Sequence, residues 1–398
     1  MLQISERVAA LSPSATLAMS QKSGELKAAG IDVINMSVGE PDFNTADFIK
    51  QAGEKAIEDN YSRYTPVSGY LSLRQAVCRK LKRENGLDYT PDCIVVGNGA
   101  KQELCNVILA TINPGDEVVI PTPAWVSYTE MVKLAEGKVV EIPVGVDQNF
   151  KVTAAMLRAA ITPRTRMVML NSPSNPTGAV YTREELAALV EVLKEYPDIL
   201  ILADDIYEHI NFTGGVASIA QFPEVFDRTV IINGVSKAYA MTGWRIGYMA
   251  GPLAIAKAVT KLQGQYTSGC SSIAQKAAEA AYDGPQECVE EMRRAFERRR
   301  DLIVSLAAEI PGWRCNRPDG AFYLFPEVSA YIGKTTPSGK TLAGSGDYVM
   351  YLLEEAHVAT VDGAAFGAPG YLRLSYACSD EEIREAMERI KRASALLK

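Results

Sequence analysis

The chain has 398 residues, enough for two to three domains at roughly 150 residues each. Hydrophobic residues make up 47% and charged residues 22%, a globular composition that argues against disorder. The 41 basic and 48 acidic side chains leave a net charge of −7, a poor field for attracting nucleic acid or an anionic membrane.

No internal repeat or low-complexity tract is present. Cys93 to Val96 reads as a strand, followed by the turn Gly97-Asn98-Gly99 and a helix from Ala100 to Ile112. Glu117 to Ile120 is a second strand. Arg166 to Leu170 is a third, running into the loop from Asn171 to Gly178. Thr182 with Glu185 is a capping box, in which the two side chains satisfy each other's free N–H groups, and it opens a helix to about Tyr196. Ile199 to Ala203, Thr229 to Asn233 and Arg245 to Ala250 are further strands. Strands alternating with helical stretches predict βαβ units and a mostly parallel sheet. Met292 to Ile310 is a long helical pattern whose arginines, from Arg293 to Arg300, read as a solvated face. Ala321 to Phe325 and Tyr371 to Tyr376 are strand-like, Gly333 to Gly346 is a loop, and Asp380 to about Leu397 is a closing helix. The last third therefore reads as a smaller α+β domain.

Seven cysteines (Cys78, Cys93, Cys105, Cys270, Cys288, Cys315 and Cys378) are widely spaced without a C-x-x-C. They read as thiols in a reducing cytosol, not as a disulfide framework or zinc site. Only two histidines occur, His209 and His357, which excludes a multi-histidine metal site. Glu6 and Arg7 stand where a signal peptide needs apolar residues, and no uncharged apolar run reaches the ~18 residues of a membrane span. The expectation is a soluble, cytoplasmic protein without membrane or nucleic-acid partners.

Two phosphate motifs fail at the glycine turn. A dinucleotide fingerprint needs glycine where Gln102 stands, and a Walker A loop needs a longer spacing before its lysine. What survives is a helix N-terminus with free N–H groups for an anion. Asp204 and Asp205 follow an apolar strand, and neighbouring strand residues point to opposite faces, so they do not converge on a metal. One caps the next helix, or one serves a ligand at the carboxyl edge of the sheet. Lys237 lies just past a strand end, with Arg245 eight residues on. Lys237 either snorkels to the surface or, desolvated, acts as a nucleophile toward carbonyls. Arg245 could clamp a phosphate with its planar fork. The residues alone leave both readings open.

The run from Asn233 to Tyr248, with Ser236-Lys237 and Arg245, closely resembles the cofactor-lysine signature of the fold type I, pyridoxal-phosphate-dependent aminotransferases of class I/II. The resemblance spans almost the whole chain. It includes Pro13 to Thr16, Gly39 to Phe43, Tyr64, Gly99-Ala100-Lys101, Trp125, Asn175 to Gly178, Asp204 to Tyr207 and Arg373 to Tyr376. It is strongest toward the bacterial aspartate aminotransferase subgroup, which also includes prephenate aminotransferases. The implied fold is α/β, with a large domain around a mostly parallel sheet and a smaller α+β domain. The implied division is an N-terminal arm at 1–16, small-domain segments at 17–46 and 292–398, and a large cofactor-binding domain at 47–291.

The resemblance also implies roles. Lys237 holds pyridoxal 5′-phosphate and shuttles the substrate Cα proton, Asp204 pairs with the pyridine nitrogen, and Tyr207 and Asn175 hydrogen-bond the phenolic oxygen. Trp125 stacks on the ring, although a lone tryptophan is more often core packing. The phosphate takes Gly99, Ala100, Lys101, Ser236 and Arg245, with Tyr64 reaching it from the partner of a homodimer whose active sites are shared. Arg373 binds the substrate α-carboxylate with Gly39 and Asn175. Lys101 meets a distal carboxylate, and Thr16 marks prephenate use. Ala100 replaces a common glycine, and Gly234 a common hydroxyl residue. The implied activity is transfer of the amino group of L-aspartate to 2-oxoglutarate by a ping-pong cycle, on small-molecule amino and 2-oxo acids. Prephenate or aromatic transamination is the alternative, and a C–S lyase on the same fold is a further one.

Overall fold

The computed structural model describes residues 3–215 and 217–398; Met1 and Leu2 of the expected N-terminal arm, and Val216, lie outside the described residues. Seven strands form the central sheet: β1 (Ile94–Asn98), β2 (Glu117–Thr122), β3 (Lys138–Pro143), β4 (Thr165–Asn171), β5 (Leu200–Asp204), β6 (Thr229–Gly234) and β7 (Ile246–Ala250). Their spatial order is β1-β7-β6-β5-β4-β2-β3. Pairing is parallel from β3 through β2, β4 and β5 to β6, whereas β7 runs antiparallel to both β6 and β1. The mostly parallel sheet expected from the sequence is therefore what forms. Its apolar runs are buried on both faces, because residues alternate across a strand. Val118, Ile120, Met167 and Met169 enter one core layer, and Val119, Val168 and Leu170 enter the opposite one.

The structure adds to and corrects the sequence reading at several points. β3 was absent from the expected strands; it is an edge strand in which only Ile142 is buried, so it lacks a clear apolar run. Arg245 does not begin β7. It precedes the strand with φ 58°, and pairing starts at Ile246 opposite Asn98. The capping box forms, Thr182 Oγ1 accepting from the Glu185 N–H and Glu185 Oε2 from the Thr182 N–H, but its helix ends at Leu193. A turn, not a helix, follows Asp204 and Asp205.

The long C-terminal helix runs from Glu287 to Ala307. Its arginines do not all lie on a solvated face: Arg299 and Arg300 are buried. The helical period puts them on the same side as Phe296 and Ile303, which face the core. Arg299 forms a bidentate pair with Asp42 at 2.7 and 2.8 Å, and Arg300 donates to the Pro318 carbonyl at 2.7 Å.

The remaining strands β8 (Tyr323–Leu324), β9 (Val361–Asp362) and β10 (Leu372–Ser375) form an antiparallel sheet in the order β9-β10-β8. The early segment Ile34–Asn35 pairs in parallel with Val358–Ala359. Ile34 and Met36 thereby share a core with Phe296, Tyr348, Leu374 and Ile390. No helix among the described residues is long and apolar enough to cross a membrane.

Candidate active site

The carboxyl ends of β4, β5 and β6 meet the start of the helix Ala100–Thr111 and β10 around a cavity of about 250 Å³. This is the edge at which open α/β sheets bind ligands. On the sheet side the lining includes Asp204, Tyr207, Ser236, Lys237 and Arg245, and on the helix side Ala100, Lys101 and Trp125. Thr16, Gly39, Asn175 and Arg373 complete it. Residues separated by more than 350 positions in sequence thus face one space.

Asp204, at the end of β5, is buried. Its Oδ2 accepts from the Tyr128 hydroxyl at 2.5 Å, and its Oδ1 accepts from the Ile206 N–H at 3.3 Å. Burial pushes its carboxyl up to about 6, against the downward pull of the Tyr128 hydrogen bond and the Lys237 charge. Lys237 follows β6 by three residues, and its Nζ donates to the Gly39 carbonyl at 2.6 Å. Burial pushes its ammonium down to about 8, with Arg373 and Arg245 acting in the same direction and Glu40 opposing. An amine so poised is neutral near pH 7 far more often than an ordinary lysine, which favours its use as a base or nucleophile.

Arg373, on β10, is 1% exposed. It donates to Asn175 Oδ1 at 3.0 Å and to the Ser37 carbonyl at 2.6 Å, while its Nε has no partner. No carboxylate among the described residues pairs with it. A buried guanidinium without a counter-charge is costly unless an anion arrives. The Tyr323 and Phe366 rings lie against the guanidinium, with centroids 4.6 and 5.1 Å from its carbon, and offer it cation–π contact.

Arg245 closes the other end. Its Nη1 donates to the Thr242 carbonyl at 2.8 Å and its Nη2 to the Asn98 carbonyl at 3.0 Å, with no carboxylate partner among the described residues. The helix start lies directly on β7: a Cβ at Gly247 would fall 2.1 Å from the Ala100 nitrogen. Glycine at 247 thus lets the helix N-terminus and Arg245 come together, a cationic cradle with open N–H groups. Lys101 is exposed at this start, with its ammonium 5.1 Å from the Trp125 ring centroid. Partial burial of that ammonium and the nearby Arg245 lower its pKa.

Gly99 stands at the N-cap of the same helix, behind the lining. Tyr64 is not brought to the cavity; it is 98% exposed. The sequence reading missed three residues here. Tyr128 holds Asp204. Asn171 bonds both the Asp204 carbonyl and the Asn175 N–H, each at 2.8 Å. Tyr323 bonds Tyr207, the two hydroxyls lying 2.8 Å apart. Asn171 carried a readable signal, a polar residue at the carboxyl end of a parallel strand; the two tyrosines carried none.

The family model for aminotransferase class I and II matches residues 31–390. The aspartate/prephenate aminotransferase of Cereibacter sphaeroides is 51% identical over 390 residues, covering 98% of each chain. The crystal structure of the aspartate aminotransferase from Rhizobium meliloti superposes with a TM-score of 0.96 at 46% identity, over 100% of both chains. The aspartate aminotransferase of Thermus thermophilus, solved with maleate, superposes with a TM-score of 0.92 at 40% identity, over 99% of this chain and 100% of that one. With a buried amine, a buried guanidinium and a cationic helix start gathered at the sheet edge, the chain belongs to the class I and II aminotransferases.

Proposed function

We propose that the protein is a pyridoxal 5′-phosphate-dependent aminotransferase that passes the amino group of L-aspartate to 2-oxoglutarate by a ping-pong cycle. The observation that carries this reading is one cavity holding both the amine of Lys237 and the uncompensated guanidinium of Arg373. A transaminase must bind an α-carboxylate and move the proton of the adjacent Cα.

The donor set suits the cofactor. Arg245, Ser236 and the N–H groups of Ala100 and Lys101 suit a phosphate dianion, while the N–H expected of Gly99 is already donated to the Gly97 carbonyl at 2.8 Å. Asp204, raised by burial, suits a cationic ring nitrogen, which would supply its missing counter-charge. When bound, the cofactor supplies an electron sink for negative charge at the substrate Cα. The chain's own groups do the rest. Arg373, with Asn175 and the Gly39 backbone, binds the α-carboxylate and aligns the Cα hydrogen toward Lys237. Lys237 Nζ takes that proton and returns it. Tyr207, with Asn175, would donate to the cofactor's phenolic oxygen, and Trp125 would offer its ring as an apolar wall.

Lys101 pairs with the distal carboxylate of aspartate. Thr16 lines the same cavity, and the relative from Cereibacter sphaeroides is named for both aspartate and prephenate, so prephenate is the second amino acceptor to test. We infer a homodimer in which Tyr64 of each chain serves the other's phosphate site. The division into an arm (1–16), small-domain segments (17–46 and 292–398) and a large domain (47–291) agrees with Ile34 pairing with Val358 across the chain. Seven free thiols suit the reducing cytoplasm.

The test is an absorbance spectrum of cofactor-loaded protein before and after L-aspartate alone. The aldehyde-form band should give way to the amine-form band, and 2-oxoglutarate or prephenate should restore it. A band that ignores aspartate but responds to an aromatic amino acid would reassign the substrate. Pyruvate released from cystathionine would reassign the reaction.

A further inference from the structure

Tyr207 stands in the cavity with its hydroxyl bonded to a single partner among the described residues, the hydroxyl of Tyr323 at 2.8 Å. Both rings are buried. The titratable groups around Tyr207 are Asp204 on its own segment, Lys237 with its Nζ 5.8 Å from the ring centroid, Arg373 from β10, Tyr323 from β8 and Tyr128 from the helix Ser127–Leu134. Only Tyr323 reaches the hydroxyl. Space for this contact is reserved by Gly39, where a Cβ would fall 2.5 Å from Tyr323 Oη. The same Tyr323 ring lies against the Arg373 guanidinium at 4.6 Å.

A hydroxyl has one proton to give and two lone pairs. If Tyr207 donates its proton to an anionic oxygen in the cavity, its bond with Tyr323 must run the other way, with Tyr323 donating. We propose that Tyr323 is a two-part positioning residue: its hydroxyl holds the Tyr207 proton on the cofactor's phenolic oxygen, and its ring holds Arg373 in the plane that receives the α-carboxylate. This rests on the reading of Tyr207 given above. One side chain on β8 thereby links the group that tunes the cofactor to the group that grips the substrate.

The two parts separate by substitution. Tyr323→Phe keeps the ring and removes the hydroxyl; Tyr323→Leu removes both. The first readout is the pH titration of the bound cofactor's visible band, with no substrate present. A donor on the phenolic oxygen favours its anionic form and lowers the pH at which the bound cofactor loses its proton. Tyr207→Phe should raise the midpoint, and Tyr323→Phe should raise it by about 0.5–1 pH unit. In the double variant, Tyr323→Phe should add nothing to Tyr207→Phe, because it acts through Tyr207. The second readout is maleate affinity, unchanged within about twofold in Tyr323→Phe and weakened about tenfold in Tyr323→Leu. A Tyr323→Phe midpoint equal to wild type beside a shifted Tyr207→Phe would overturn this proposal alone, as would full additivity in the double variant. A Tyr207→Phe midpoint equal to wild type would overturn the parent reading of Tyr207 and this one with it.

Discussion

Lys101 and Asp205 each carry a claim that one substitution tests. Lys101 lies at the helix start, beside Arg245 and over Trp125, where a second carboxylate of the substrate would meet it. Lys101→Ala should raise KM for aspartate roughly ten- to hundredfold, the loss of a charge-assisted hydrogen bond of about 1.5–3 kcal/mol, and should spare monocarboxylic amino acids. Steady-state kinetics with both substrate types would check this; equal effects would make Lys101 structural. Asp205 points away from the cavity, as strand alternation demands, and its buried Oδ2 has no partner. Burial, reinforced by the nearby Glu208 charge, pushes its carboxyl up to about 8. The folded state then holds a proton that the unfolded chain releases near pH 4. Stability from this group is full in acid and is lost as the pH rises toward 8. Asp205→Asn removes the titration, so its advantage over wild type in urea unfolding should grow from pH 5 to 8 at a slope of roughly 1 kcal/mol per pH unit. An advantage independent of pH would show that Asp205 is already ionised. Such residues also mark what sequence could carry. Lys237 and Arg245 stood out because each lies at the edge of a strand, with their roles left open, whereas Arg373 was named only through the family resemblance of the run Arg373 to Tyr376. Tyr128 and Tyr323 did not stand out, because their partners lie 76 and 116 residues away and no local pattern encodes that distance.

At the scale of elements, three segments that position the site are tied by one buried ionic cluster. Glu208, just after Tyr207, accepts from Lys80 Nζ, from Asn85 Nδ2 at 2.8 Å and from Asn233 Nδ2 at 2.6 Å. Lys80 ends the helix Leu71–Lys80, and Asn233 is the next-to-last residue of β6, the strand that leads to Lys237. Glu84, Glu208 and His209 come close enough together to suggest a metal site, but the Lys80 ammonium already supplies the positive charge between the two carboxylates. Both Lys80 and Glu208 are fully buried, so removing one partner strands the other's charge. Lys80→Met should therefore cost about 3–5 kcal/mol in denaturant unfolding. Lys80→Met combined with Glu208→Gln should recover much of that, since the amide oxygen still accepts from Asn233 and the amide NH2 can donate to Asn85 Oδ1, which the loss of Lys80 frees once that side-chain amide flips. A double variant no more stable than the single would mean that packing, not charge, sets the cost. The elements themselves were largely legible: apolar runs bounded by glycine, proline and a capping box located six of the seven sheet strands. The misses were the edge strand β3, half exposed and so without a clear pattern, and the inward turn of Arg299 and Arg300. A basic run reads as surface until Asp42 and the Pro318 carbonyl, distant in sequence, are seen to receive it.

For the whole molecule, the open question is what covers Tyr64, an aromatic side chain 98% exposed in a chain whose other tyrosines are mostly buried. A second cavity, of about 960 Å³, runs between residues 11–15, the helix Ser127–Leu134 and residues 364–367, and it shares Lys101 and Arg245 with the site. The end of the site that carries Lys101 and Arg245 is therefore open toward a large groove on the chain's own surface. In an isologous dimer the same patch is used twice, so a residue of one chain can complete the other's site. Tyr64→Ala should weaken cofactor binding about tenfold through loss of a charge-assisted hydrogen bond. Lys237→Ala should bind cofactor without turning over. Mixing the two variants under subunit exchange then separates the possibilities at low cofactor concentration. If Tyr64 acts across the interface, a hybrid dimer contains one site with intact Lys237 and intact Tyr64, and about a quarter of all sites regain wild-type cofactor affinity and turnover. If Tyr64 serves its own chain, every site with an intact Lys237 still lacks Tyr64, and mixing restores nothing.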